Sequence, residues 1–182
     1  MSSPEEPKYP CYAIAEGVEI RQGDLLDRCP VVIPSADAVK EIETQAPRLS
    51  AYIEHYDIVV MSQSCDLMYD KVDLVLVCPV WTYEKLALQH GHLLKYEVKV
   101  NLKRGNLPGY HLLHECSIDG FARSVSVVDF RSVYGLPLDF IKYCARDRSP
   151  RVRLMPPYRE HPAQAFARFF MRVGLPSDAA LP

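Results

Sequence analysis

No CxxC pair, no internal repeat and no low-complexity tract occurs in this chain of 182 residues. Each absence removes a class of protein. Without cysteines at short spacing there is no signal for a zinc ribbon or a redox dithiol. The six cysteines, at positions 11, 29, 65, 78, 116 and 144, read as reduced and mostly as small core residues. The longest apolar stretches, such as Val72 to Trp81, fall far short of the roughly 20 residues needed to span a bilayer. The segment Met1–Pro7 is polar and acidic, without the basic start or apolar centre of a secretory signal, so the expected compartment is the cytoplasm. Basic runs with interleaved aromatics, the usual footprint of a nucleic-acid surface, are missing too.

What is present suits one globular domain spanning 1–182. The chain is 48% hydrophobic and 24% charged, enough apolar surface for a real core. Its 15 prolines cut it into short elements, which favours a small barrel over a helical bundle. A net charge of −2 hides an asymmetry. Residues 1–91 carry 7 Lys/Arg against 15 Asp/Glu, whereas residues 92–160 carry 12 against 7. Such a division fits either solvated faces or an anionic-ligand surface at the rear.

Residues 1–10 read as a loose arm. Val18–Asp24 reads as a first strand opening into a Gly-Asp turn, and Pro30–Pro34 as a short extended piece. Ser35 is a candidate N-cap for a helical insertion over 35–50, with Val39, Ile42 and Ala46 at helical spacing. The β-branched run Asp57–Ser62 and the run Val72–Val80 predict two antiparallel strands joined by a turn at 62–71. Glu84–His92 fits a helix or a loop. Tyr110–Leu113 and Ser124–Phe130 predict strands, and Pro137–Cys144 a helix with proline in its first turn. The terminal helix, over 160–174, carries the stripe Ala165, Phe166, Phe169, Phe170 and Val173, and Gly174 closes it. The fold class expected is α+β: a small, strongly bent antiparallel barrel with helical insertions and a C-terminal helix.

The order of elements resembles the PemK/MazF toxin family, SH3-like barrels that act as endoribonucleases. Four stretches covering about half the chain carry the resemblance: Gly23-Asp24, Ile58–Ser62, Val75–Val80 with Pro79, and Ser126–Val133 with the helix that follows. The resemblance implies an SH3-like barrel, RNA as partner and a toxin–antitoxin or phage-defence setting. Its catalytic Arg has no match, because His55, Tyr56 and Asp57 stand before the second strand. Trp81 takes the place of the family's Thr and Thr82 lies one residue late, on the opposite face of a strand.

Chemistry-bearing residues concentrate at Ser62-Gln63-Ser64-Cys65-Asp66, where a plain hairpin would prefer Asn-Gly. Cys65 is a candidate nucleophile if a histidine reaches it, and His111 is the candidate base, with Asp66 beside the thiol. The alternative is a turn in which Ser64 and Asp66 bond the backbone. His111, His114 and Cys116 invite a metal reading, but on a strand 111 points away from 114 and 116; no metal or cofactor is expected. Arg151 and Arg153 share one face of an extended segment and can hold phosphate, with Arg123 and Arg131 as further phosphate or 2′-hydroxyl contacts. The reading that results is a module binding nucleic acid or a protein partner, or a homodimer, through Ser62, Gln63, Ser64 and these arginines. A divergent ribonuclease or a Cys65-dependent hydrolase is the alternative. No membrane association is expected.

Overall fold

A computed structural model describes residues 10–35 and 51–171. Within them the chain is mixed α+β, with eight strands in antiparallel sheets and five α-helices. The strands are β1 (Tyr12–Ala15), β2 (Leu25–Pro34), β3 (Ala51–Val60), β4 (Leu74–Thr82), β5 (Tyr110–Leu113), β6 (Ser126–Asp129), β7 (Tyr134–Pro137) and β8 (Arg151–Leu154). The helices are α1 (Ser64–Met68), α2 (Tyr83–Gln89), α3 (Tyr96–Lys103), α4 (Leu138–Asp147) and α5 (Glu160–Phe170). The helical insertion expected over 35–50 and the loose arm lie outside the described residues, apart from Ser35 and Pro10.

β4 is the organising strand. One of its edges pairs with β3, as the two apolar runs predict. The other edge changes partner midway: β7 pairs with Leu74–Val77 and β6 with Val80–Thr82. Pro79 falls in the gap between those two ladders and stands opposite Ile58 of β3. The order β2-β3-β4-β6-β5, with β7 beside β4, forms one sheet, and β1 pairs with β8 in a second.

Because β3 is apolar on both faces, it feeds two cores. Ile58 and Val60 join Leu26, Val75, Val77 and Ile141 beneath α4. Val59 and Met61 join Leu25, Cys78, Val128, Phe130 and Leu154, closed over by Phe166 and Phe169 of α5. A third, smaller cluster packs α2 and α3 onto Tyr110 and Val127.

Several elements differ from expectation. Val18–Asp24 is no strand; it is a loop held by Arg151, and the strand begins at Leu25. β3 starts at Ala51, six residues before its apolar run, because pairing with β2 extends into exposed sequence. Glu84–His92 resolves into α2, capped by the Thr82 hydroxyl 3.3 Å from the Lys85 N–H, and a 3₁₀ turn over Gly91–Leu94.

The β1–β8 ribbon is tied to the main sheet by charge. Asp24 is fully buried, and its carboxylate accepts from Arg151 Nε at 3.0 Å and from Arg153 Nη2 at 2.9 Å. Arg151, 3% exposed, also donates to the carbonyls of Gly17, Glu19 and Ala145. Gly23 beside it has φ +86°, and a Cβ there would come within 3.1 Å of Leu154 Cβ. A buried charge stripped of its partner is strongly destabilising, about 3–5 kcal/mol. Asp24→Asn and Arg151→Met should each lose stability on that scale in urea unfolding. The double variant should lose markedly less than the two losses combined, and additive losses would show that the pair is not coupled.

Candidate functional site

Ser62–Asp66 lies at the end of β3, and its polar atoms are used by the fold. The Ser62 hydroxyl accepts the Leu76 N–H at 2.8 Å, and the Ser64 hydroxyl accepts the Gln22 N–H at 3.1 Å. Gln22 in turn donates to the Met61 carbonyl at 2.8 Å. Gln63 precedes α1 and its carbonyl receives the N–H groups of Asp66 and Leu67. The expected turn is therefore a short helix, fastened at both ends.

Cys65 alone among the six cysteines is exposed. Its Sγ lies 3.7 Å from Asp66 Oδ1. It borders a cavity of about 490 Å³ lined also by Gln63, Arg159, Glu160 and Gln164, with no histidine in the lining. His111 lines a separate cavity that shares no residue with this one. Asp66 stays beside Cys65 but His111 is not brought to them, and no histidine among the described residues lines the cavity at the thiol.

The arginines singled out by the sequence are engaged internally. Arg151 and Arg153 hold Asp24, as described. Arg123 is bonded to Asp27, lies 4.0 Å from Asp57, and has its pKa lowered by burial. Arg131 grips Asp129 through Nε at 2.9 Å and Nη2 at 2.7 Å, bonds that raise its pKa, and lies over the Tyr110 ring at 4.4 Å. Arginine is abundant here, but these four serve carboxylates of the same chain.

A different constellation forms where β5, α3 and α5 meet. A cavity of about 600 Å³ there is lined by His111, His114, Lys103, Glu115, Tyr158 and His161 among others. Each arrives from its own element: His111 from β5, His114 from the segment after it, Lys103 from the last turn of α3, and His161 from the first turn of α5. Tyr12 donates its hydroxyl to the His114 carbonyl at 2.7 Å and fixes that turn. The Tyr158 ring meets both His114 and His161, with centroids 5.8 and 6.0 Å away, edge to face with each. His111 stacks on Phe130, and its Nδ1 is buried without a partner among the described residues. Next to this groove, across Gly105, a smaller cavity of about 240 Å³ is lined by Tyr110, Asn106 and Arg168. Tyr110 is 5% exposed, and its hydroxyl also lacks a partner. Such atoms are costly unless something meets them.

Leading out of the groove, Lys95 at the N-cap of α3 and Lys99 and Lys103 within it recur at four-residue spacing, hence along one side of the helix. The three form a basic strip, Arg104 follows at the C-cap on another side of the helix, and none of the four has an acidic partner among the described residues. The signal that would have found the strip is Lys-x₃-Lys-x₃-Lys, visible once 96–103 is read as a helix. His161 and Tyr158 carry no such signal, because only the docking of α5 brings them to β5. Among the described residues no cluster of three or more His, Cys, Asp or Glu side chains is arranged to hold a metal ion.

Burial first, then the positive neighbours His161, His114 and Arg168, pushes the His111 pKa down to about 4. An unfolded histidine takes up its proton near pH 6.5, so between that pH and about 4 the unfolded chain holds the extra proton and folding weakens as pH falls. His111 should therefore cost roughly 2 kcal/mol of stability between pH 7 and pH 5, and His111→Gln should remove that part of the pH dependence in denaturant titrations. A native-state thiol assay should find one fast-reacting group, lost in Cys65→Ser; the five buried thiols should appear only on unfolding.

No protein-family model matches the chain, and no curated protein matches it.

Proposed function

We propose that the protein is a nucleic-acid-binding regulatory module on an SH3-like, PemK/MazF-like barrel, working in a toxin or phage-defence setting. The observation that carries this reading is the basic strip Lys95–Lys99–Lys103, without an acidic partner among the described residues, which runs into a groove walled by Tyr158 and three histidines. Lysines spaced one helical turn apart suit successive phosphates, and flat rings beside them suit bases. The surface differs from the one the sequence favours, since Arg151, Arg153, Arg123 and Arg131 already hold carboxylates.

Endoribonuclease activity is the second reading, favoured by the meeting of His111, His114 and His161 at one groove. Metal-free RNA cleavage needs a base for the 2′-hydroxyl and an acid for the leaving 5′-oxygen, and two histidines on either side of a bound phosphate can fill those roles. A thiol hydrolase is not put forward, because no histidine lines the cavity at Cys65.

Fluorescence anisotropy with a labelled single-stranded oligonucleotide tests the first reading. Affinity should fall with salt with a log–log slope of about −2 if three lysines each meet one phosphate. Replacing Lys95, Lys99 and Lys103 by Gln should take that slope close to zero, whereas Arg131→Gln should leave it unchanged. Salt-independent binding, or a slope that survives the triple substitution, contradicts the assignment.

A further inference from the structure

Past the end of the lysine strip lies the smaller cavity of about 240 Å³. Gly105 borders both cavities, and beyond its chain neighbours nothing stands within 4 Å of where its Cβ would be, so the rim between them is open. Leu107, Pro108 and Phe169 give the smaller cavity apolar walls. Its polar side chains are Asn106, Tyr110 and Arg168, from the loop after α3, from β5 and from α5. Tyr110 is 5% exposed, and over its ring lies the Arg131 guanidinium, itself gripped by Asp129. The Tyr110 hydroxyl is buried without a partner among the described residues, an arrangement that costs stability unless a bound group meets it. The Asn106 backbone N–H donates to the Asn101 carbonyl at 2.8 Å, which fixes the loop, while its side-chain amide has no partner among the described residues. Arg168 has no acidic partner among them either, and no carboxylate lines the cavity.

Resting on the nucleic-acid reading, we propose that this cavity receives one base of the bound strand and selects uracil. At about 240 Å³ it is smaller than the roughly 300–1,000 Å³ of sites for drug-sized ligands, so it suits a single ring rather than a whole nucleotide. A guanidinium can only donate, whereas an amide and a phenol hydroxyl can donate or accept. Without a carboxylate in the lining, donors outnumber acceptors, and a base with an exocyclic amine brings N–H groups that find few acceptors. Of the RNA bases, adenine, guanine and cytosine carry such an amine. Uracil instead presents two carbonyls flanking one N–H. Asn106 and Tyr110 meet that edge, one accepting from the N–H and the other donating to a carbonyl, while Arg168 donates to the second carbonyl. The lysines hold the strand by its phosphates whatever its sequence, and the cavity adds the preference for one base.

Labelled oligouridylate and oligocytidylate of equal length, compared by fluorescence anisotropy, test this. The two bases differ only at the edge that the cavity reads, so the wild-type protein should bind oligouridylate at least about tenfold more tightly. Tyr110→Phe keeps the ring under Arg131 and removes only the hydroxyl, and Asn106→Ala removes the amide. Each should cut the ratio between the two oligonucleotides to about threefold or less. In urea unfolding Tyr110→Phe should be no less stable than the wild type, since the hydroxyl it removes has no partner in the described fold. Equal binding of the two oligonucleotides by the wild type overturns this inference, while the nucleic-acid reading still stands on the salt slope of the lysines. A ratio that survives both substitutions overturns it too. Absence of binding to either oligonucleotide overturns the nucleic-acid reading and this one with it.

Discussion

The fold depends on one fully buried carboxylate. Asp24 holds Arg151 and Arg153, and through Arg151 it gathers the carbonyls of Gly17, Glu19 and Ala145. This single cluster fastens the loop 16–24, the β1–β8 ribbon and the end of α4 around the start of β2. Without it the second hydrophobic core would lose one wall, since Val152 and Leu154 of β8 pack into that core beside Leu25 and Phe130. The segment after β8 then turns into α5, so the placement of Tyr158 and His161 follows from the same anchor.

That anchor also redirects the functional reading. Four arginines look in sequence like a phosphate-binding set, yet each lies against an aspartate of its own chain. Bidentate pairing explains the choice of residue: guanidinium matches carboxylate geometry and satisfies several buried acceptors at once, which lysine does not. The lysines along α3 have no acidic partner among the described residues. The basic character of residues 92–160 is thus divided between arginines that hold carboxylates of the fold and the lysines along α3.

Legibility tracked how local each signal was. The runs Ile58–Val60 of β3 and Val77–Val80 of β4 are legible because both faces are buried there, giving unbroken apolar stretches, and α5 is legible from its aromatic stripe. The Pro137 start of α4 was equally plain. By contrast, β1, β7 and β8 are four-residue strands whose pairing is decided by distant partners, and Arg151 in β8 resembles a solvent-facing residue until Asp24 is placed beneath it. α3 has only a modest amphipathic pattern, so its lysines were not seen as a strip. His111 and His114 were visible as a motif, but their companions Tyr158 and His161 lie more than forty residues on and meet them only through tertiary docking. The Ser62–Asp66 segment misled for the opposite reason. Its polar side chains are conspicuous in sequence because they fasten a strand end to a short helix, and that structural work needs the same residue types as catalysis.

The central claim is a location: nucleic acid follows α3 into the groove between β5 and α5. Photocrosslinking a 4-thiouridine oligonucleotide to the intact protein, followed by peptide mapping, tests it directly. Crosslinks confined to the peptides containing Lys95–Arg104, His111–Glu115 and Tyr158–His161 are predicted. Crosslinks centred on Ser62–Asp66 or on Arg148–Arg153 would contradict the account.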